Sequence, residues 1–223
     1  MNLIFTMAGS YQKSVDENIN VPKYLLPWSE TTILGEIVSQ ISKNFRWKKL
    51  IGVMATSDHR WQPIVSSILN KAEADIVKVF GVKTDSQIST AKIALSNYFL
   101  ESSEKVVFAN IDTILYYRDW KNISKKLDEC DGYIDIFKSG SPNYSYILPN
   151  KGVVSDVFEK HIVSDHASSG LYAFSDSIDL YKYLKDDESF KYFSDTLSKY
   201  IKSGKIITHG ELYKESETLV LGT

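Results

Sequence analysis

Four short, strongly apolar runs, Leu3–Met7, Leu50–Met54, Ile76–Phe80 and Val106–Ala109, alternate with longer stretches of helical spacing. This alternation constrains the fold more than any other feature of the chain. Ile33, Leu34, Ile37, Val38 and Ile41 fall on one helix face. Ile64, Ile68 and Leu69 do the same, as do Ile88, Ala91, Ala94 and Leu95. Four strands joined by three helices imply βαβ crossovers and a mainly parallel sheet with helices on its faces. The first 130 residues therefore read as a Rossmann-like α/β unit.

The pattern changes after residue 130. Gly132–Phe137, Tyr144–Leu148, Val153–Phe158 and Gly170–Phe174 read as short strands. Gly140–Asn143 and Pro149–Gly152 carry turn chemistry between them, which predicts antiparallel hairpins. Helices return near Ile178–Leu184 and over Phe190, Phe193, Leu197, Tyr200 and Ile201, before a terminal strand at Leu219–Leu221. There is no repeat, no low-complexity tract and no long linker, so residues 1–223 are expected to form one domain with a mixed-sheet second half.

Composition narrows the function classes. Hydrophobic residues at 43% and charged residues at 24% are globular averages, which removes disordered and fibrous classes. Lys and Arg total 26 against 28 Asp and Glu, so the basic excess of a dedicated nucleic-acid binder is missing. The single cysteine, Cys130, allows neither an intrachain disulfide nor a cysteine-based zinc site. His59, His161, His166 and His209 show no paired metal-ligand spacing. The start lacks a basic leader, and no run of about 18 apolar residues occurs, so no membrane span and a cytoplasmic location are expected. Ser168–Gly170 is not a nucleophile elbow. Tyr181, Tyr183, Phe190, Tyr192, Phe193 and Tyr200 read as helix packing, with an interface as the alternative. Lys48–Lys49 and Lys125–Lys126 read as solvated faces.

A polar loop follows the first strand, at the carboxyl edge where open α/β sheets bind ligands. Gly9 would allow close backbone approach to a phosphate, and Lys13 and Lys23 would supply positive charge. The loop matches neither established glycine-rich phosphate motif, and a solvated surface loop fits its spacing equally well.

Six segments, taken together and in order, resemble the sugar-phosphate nucleotidyltransferases. They are Met7–Ala8–Gly9; Pro22–Lys23 with Leu25–Leu26–Pro27; Thr84–Thr90 around Gln87; Val106–Asp112; Val157–Lys160 with Ser164 and Ser169–Phe174; and Leu221–Thr223. The resemblance spans most of the chain. It implies a Rossmann-like GT-A type fold, a mixed, mostly parallel central sheet flanked by helices, with residues 1–130 as the nucleotide-binding half and 131–223 as the substrate-binding half. The implied reaction joins a nucleoside triphosphate to a sugar phosphate or another small phosphorylated acceptor and releases pyrophosphate, with no nucleic acid or membrane as partner. Synthesis of surface-polysaccharide precursors is the implied role.

The same resemblance implies residue roles. Asp112 would hold Mg²⁺, Lys23 would neutralise the reacting phosphate region, and Lys13 the leaving pyrophosphate. Met7, Ala8, Gly9, Ser10, Gln87 and Asn110 would bind the nucleotide. Gln87 would read the base edge, since an amide both donates and accepts, although a solvent-facing residue in a first helical turn fits the position as well. Glu159, Lys160, Ser164 and Gly170 would bind the acceptor, with Lys160 on its phosphate.

This chain also departs from the family pattern. Tyr11 stands where a glycine is usual, and Lys13 where an arginine is usual, which exchanges a bidentate fork for a point charge. Val220 stands where many members carry an aspartate that completes the metal site, and Glu211 and Glu217 are the nearest acidic residues in sequence. Two other expectations stay open on these grounds: a non-catalytic nucleotide- or partner-binding module on the same fold, and a GT-A glycosyltransferase using Asn110–Ile111–Asp112 as a degenerate D-x-D.

Overall fold

The computed structural model describes residues 1–8, 21–185 and 189–221. Gly9, Ser10, Tyr11, Lys13, Gly222 and Thr223 lie outside the described residues. The strands are β1 (Asn2–Met7), β2 (Pro27–Trp28), β3 (Thr31–Thr32), β4 (Trp47–Ala55), β5 (Ala74–Val82), β6 (Val106–Ala109) and β7 (Thr113–Leu115). They continue with β8 (Gly132–Lys138), β9 (Tyr146–Asn150), β10 (Val153–Phe158), β11 (His166–Phe174), β12 (Ile207–Tyr213) and β13 (Thr218–Val220). The α-helices among the described residues are α1 (Ile33–Ile41), α2 (Gln62–Leu69), α3 (Gln87–Tyr98), α4 (Trp120–Lys126), α5 (Ser177–Lys185) and α6 (Phe193–Lys202).

Nine strands form one sheet in the order β5-β4-β1-β6-β11-β8-β12-β10-β9. The fold is mixed α/β. Strands β5, β4, β1 and β6 are mutually parallel, and so is the pair β8–β12. Antiparallel pairing joins β11 to β6 and β8, and β10 to β12 and β9. By direction, seven of the nine strands run the same way and β11 and β10 run against them, so the sheet is mixed and mostly parallel, as expected.

Burial explains why the first half is legible. Leu3, Ile4 and Phe5 are fully buried, because helices cover both faces of their strand. Leu3, Phe5 and Met7 pack with α1, α2 and α4 on one face, whereas Ile4 packs with α3, α5 and α6 on the other. Helix starts are fixed by short polar side chains: Thr32 accepts from the Gly35 amide, Ser86 from Ser89 and Asp119 from Asn122.

In the second half, one expected hairpin forms and one does not. Asn150 pairs with Val153 around Lys151 and Gly152, both at positive φ, which is the geometry of a tight two-residue hairpin. The Gly140–Asn143 turn makes no hairpin. β8 instead lies between β11 and β12, while β9 reaches β11 through Ala167 and Tyr146. β7, α4 and β12 lie beyond the expected elements. The terminal strand forms one residue earlier than expected, and it pairs with β7 outside the main sheet.

The aromatic cluster is mostly packing: Phe193 and Tyr200 are buried, whereas Tyr192 is exposed. The lysine pairs are corrected in part: Lys48 and Lys125 are exposed, as expected, whereas Lys49 and Lys126 are partly buried. Lys48 and Lys49 both pair with Glu104 at 2.7 and 3.4 Å, and Lys126 donates to the His209 carbonyl at 2.8 Å.

Asp156 ties β10 to α6. Its carboxylate accepts from Ser198 Oγ at 2.6 Å and the Val157 amide at 2.8 Å, and Lys202 Nζ lies 3.4 Å away. Burial pushes its pKa up, but these partners outweigh burial and hold it below the ordinary value. A depressed folded pKa contributes stability above the unfolded value, which is lost as pH falls through the folded one. Asp156→Asn is therefore expected to lower the thermal midpoint at pH 6 and to approach wild type as pH falls below the ordinary carboxylate range. A pH series of melting curves checks this; parallel curves across the range count against it.

Candidate active site

The carboxyl edge of β1 and β6 gathers residues from both halves of the chain. Met7 and Ala8 end β1 and are nearly buried. Thr6, one residue earlier, and Gln87, in the first turn of α3, are partly exposed there. The Gln87 amide donates from Nε2 to Asn110 Oδ1 at 2.6 Å and to Thr6 Oγ1 at 3.4 Å. Asn110 follows β6 directly, and its backbone N–H donates to the Gly170 carbonyl at 3.2 Å. Three residues from separate sequence segments, Gln87, Asn110 and Gly170, thus meet at one point. Gln87 spends its donors on protein partners, which corrects the picture of a side chain facing only solvent.

Gly170 belongs to β11 but adopts φ +84°, a backbone region costly for a residue with a side chain. A Cβ there would lie 2.3 Å from Asn110 Nδ2. Gly170→Ala is therefore expected to destabilise the fold by about 1–3 kcal/mol through backbone strain alone. Adding Asn110→Ala relieves the clash but not the strain, so the double variant recovers part of the loss. Thermal melting of the two variants separates the effects; a midpoint for Gly170→Ala equal to wild type contradicts the geometry.

Asp112 lies between β6 and β7, past the end of the strand. Burial raises its carboxyl pKa, while the positive charge of Lys23 pulls the other way. Lys23 opens a short 3-10 turn, Lys23–Leu25, that Pro22 precedes in an extended conformation. Tyr24 and Leu25 anchor that turn in the core, leaving Lys23 partly exposed.

The C-terminal strand runs beside Asp112. Val220 pairs with Thr113, and the Leu221 amide donates to the Asp112 carbonyl at 2.7 Å. An apolar side chain thus stands one residue from Asp112, where the family pattern has a carboxylate. Glu217 does not replace it: its carboxylate accepts from the Lys214 amide within its own turn. Among the described residues, no group of three or more His, Cys, Asp or Glu side chains forms a metal cage. One carboxylate fits Mg²⁺ that arrives with substrate phosphates, since that ion commonly keeps waters and uses one or two protein carboxylates. An all-protein Mg²⁺ cage does not fit.

Asn110 does not share Asp112's role. Its Oδ1 is taken by Gln87, so Asn110–Ile111–Asp112 does not present two free oxygen ligands, and the D-x-D reading loses its geometric basis.

The acceptor-side residues separate into two groups. Glu159 follows β10 and accepts from Ser145 Oγ in a short hydrogen bond and from Ser194 Oγ at 2.7 Å. Lys160 is exposed at φ +51°, with Nζ 5.9 Å from the Tyr192 ring. Ser164 is used locally: its hydroxyl donates to the Ile147 carbonyl at 2.7 Å and accepts from the His166 amide. Sequence reading gave no role to Ser145, Ser168 or Ser194, whose only signal is tertiary juxtaposition, and Tyr172 stood there only as a member of the Ser169–Phe174 segment. Gly9, Ser10 and Lys13, named above for the phosphates, fall in the segment that is not described.

No protein-family model matches the chain. No curated protein matches it by sequence. Solved structures do match. The chain is similar to a nucleoside-diphosphate-sugar pyrophosphorylase from Vibrio cholerae RC9, with a TM-score of 0.80 and 20% identity over 99% of this chain and 96% of that one. An inositol-1-phosphate CTP transferase from T. maritima superposes at 0.70 with 13% identity, over 96% and 85%. A UDP-glucose pyrophosphorylase complexed with UDP-glucose superposes at 0.66 with 15% identity, over 93% and 89%. At these identities the likeness shows a shared fold. No described helix is long and apolar enough to cross a membrane.

Proposed function

We propose that this chain, which shares its fold with a nucleoside-diphosphate-sugar pyrophosphorylase, an inositol-1-phosphate CTP transferase and a UDP-glucose pyrophosphorylase, is itself a nucleotidyltransferase. An oxygen of a small phosphorylated acceptor attacks the α-phosphorus of a nucleoside triphosphate. The new P–O bond forms as the bond to the β-phosphate's bridging oxygen breaks, and pyrophosphate leaves with that electron pair. One observation carries the reading: Gln87, Asn110 and Gly170, from three separate segments, converge by hydrogen bonds at the carboxyl edge of the sheet, two residues ahead of Asp112.

Transfers of this kind depend on alignment and charge neutralisation more than on a protein nucleophile. In this reading Lys23 neutralises phosphate charge, and Met7, Ala8, Gly9 and Ser10 bring backbone to the nucleotide. Lys13 meets the leaving pyrophosphate. Glu159 and Lys160 hold the acceptor, with Gly170 allowing close approach. Bound Mg²⁺, held by Asp112, supplies further neutralisation of the triphosphate. We place the reaction in the cytoplasm, in synthesis of activated precursors for surface polysaccharide; the sequence resemblance supports that role.

The test is a thermal-shift series with ATP, GTP, CTP, UTP and dTTP, with and without Mg²⁺, followed by pyrophosphate release with candidate sugar phosphates. A nucleotide at ~100 times its Kd adds about 2.7 kcal/mol. For this length that raises the midpoint by roughly 5–10 °C. One responding nucleotide, with a shift enlarged by Mg²⁺, is the expected result. Val220 beside Asp112 favours the second reading, a non-catalytic binding module. Binding without turnover selects that module, and no shift with any nucleotide removes the nucleotidyltransferase reading.

A further inference from the structure

We propose that Ser145 and Ser194 are positioning residues, which together anchor one oxygen of Glu159 and leave the other presented to the phosphorylated acceptor. The inference rests on the nucleotidyltransferase reading, in which Glu159 holds the acceptor and neither serine has a role.

The carboxylate is held on one side only. Ser145 Oγ and Ser194 Oγ both donate to Glu159 Oε2, the second at 2.7 Å. Two donors fill the lone pairs of Oε2, and those of Oε1 stay open. Among the described residues, Oε1 has no hydrogen-bond or ion-pair partner. An ionised carboxylate only accepts, so the group that meets Oε1 must donate, as a hydroxyl or an ammonium of the acceptor does.

Both serines are themselves fixed from behind. Ser145 precedes β9, and its carbonyl accepts from the Ser168 amide of β11 at 2.8 Å. Ser168 lies two residues from Gly170, whose carbonyl takes the Asn110 amide. Ser194 sits in the first turn of α6 and is 1% exposed. The same helix is tied to β10 by the Ser198–Asp156 hydrogen bond, and β10 leads directly into Glu159. Segments far apart in sequence thus converge on one half-buried carboxylate. Lys160, next in the chain, stands at φ +51°, a conformation that strains a non-glycine residue and that persists where surrounding structure enforces it. A glutamate side chain ordinarily loses rotamer freedom when a ligand immobilises it. Here folding has already removed that freedom, so acceptor binding is not weakened by the loss.

Ser145→Ala and Ser194→Ala each loosen Glu159 without touching its charge. The assay is steady-state pyrophosphate release by the full chain with Mg²⁺ and an equimolar mixture of the five triphosphates. The acceptors offered in turn are glucose 1-phosphate, mannose 1-phosphate, inositol 1-phosphate and phosphoethanolamine. Each variant is expected to raise the KM for the acceptor that wild type uses by about three- to tenfold, with kcat and the triphosphate KM within about twofold. Ser145→Thr keeps a hydroxyl and is expected to restore the wild-type KM. Where the buried Ser194→Ala fails to fold, the half-buried Ser145 pair of variants decides. A fall in kcat that matches the rise in KM, or no rescue by Ser145→Thr, identifies the serines as merely structural and overturns the inference. Variants that turn over like wild type overturn it too, while leaving the proposed function standing. No turnover by wild type with any of the four acceptors removes both.

Discussion

Asp112→Asn is expected to lower pyrophosphate release by about 10²–10³-fold while leaving the thermal midpoint equal to or above that of wild type. The two halves of this expectation have one cause. Burial raises the Asp112 pKa, so its charged form is disfavoured in the folded state. A carboxyl whose folded pKa exceeds its unfolded value loses stability as pH rises from the unfolded pKa through the folded one, so its charged form carries a cost in the folded state. An isosteric amide removes it. Charge kept at a stability cost marks a residue retained for function, whereas a packing residue loses stability when changed. The check pairs a pyrophosphate assay with melting curves at pH 7. A variant that loses activity and midpoint together identifies Asp112 as structural, and unchanged turnover removes it from the site.

Asp135→Ala is expected to destabilise the fold by about 3–5 kcal/mol, because it leaves a buried cation without its partner. Arg118 and Asp135 side chains are both 0% exposed and meet at 2.8 Å. The rest of the guanidinium is also satisfied, by the carbonyls of Tyr116 and Glu217 at 2.9 and 2.6 Å and by Thr218 Oγ1 at 2.6 Å. Its plane lies over the Tyr213 ring at 3.8 Å. This one side chain therefore fastens β7, β8, β12 and β13 together. At roughly 2–4 °C per kcal/mol for this length, the midpoint falls by about 6–20 °C. The double variant Arg118→Met with Asp135→Leu removes both charges, and it is expected to recover part of the loss. A midpoint for Asp135→Ala within about 2 °C of wild type contradicts the clamp. The consequence extends to the site, since β13 leads into Leu221, whose amide holds the Asp112 carbonyl.

The two halves of the chain were not equally legible. Val106–Ala109 and Val153–Phe158 form strands over the expected residues, and the periodic face of Ile33–Ile41 forms α1. Runs buried on both faces leave a continuous apolar signal, and one-sided helices leave a periodic one. β12 left neither. Its sequence, Ile207–Tyr213, contains Thr208, His209, Gly210 and Glu211, and its register with β8 shifts between His209 and Leu212. β7 has three residues, too few for a period. Nothing in the sequence marks Arg118 and Asp135 as partners; the fold buries them against each other.

Within the site, residue types were readable and partnerships were not. Asp112, Lys23, Gln87, Asn110, Glu159 and Gly170 stand out as chemistry-bearing residues in an ordered series of segments. Nothing local says that Gln87 gives its amide hydrogens to Asn110 and Thr6, or that Gly170 must lack a side chain because Asn110 fills the space.

By itself, the sequence determined the alternation of strands and helices, the buried parallel half and the edge of the sheet at which polar residues collect. These follow from local periodicity and from the apolar demands of a covered strand. Tertiary structure alone decided that β8 joins β12 rather than β9, that Val220 lies beside Asp112, and that Ser145 and Ser194 share one oxygen of Glu159. Those relations depend on the pairing of strands far apart in sequence, and a serine or valine carries no local mark of what the fold will set against it.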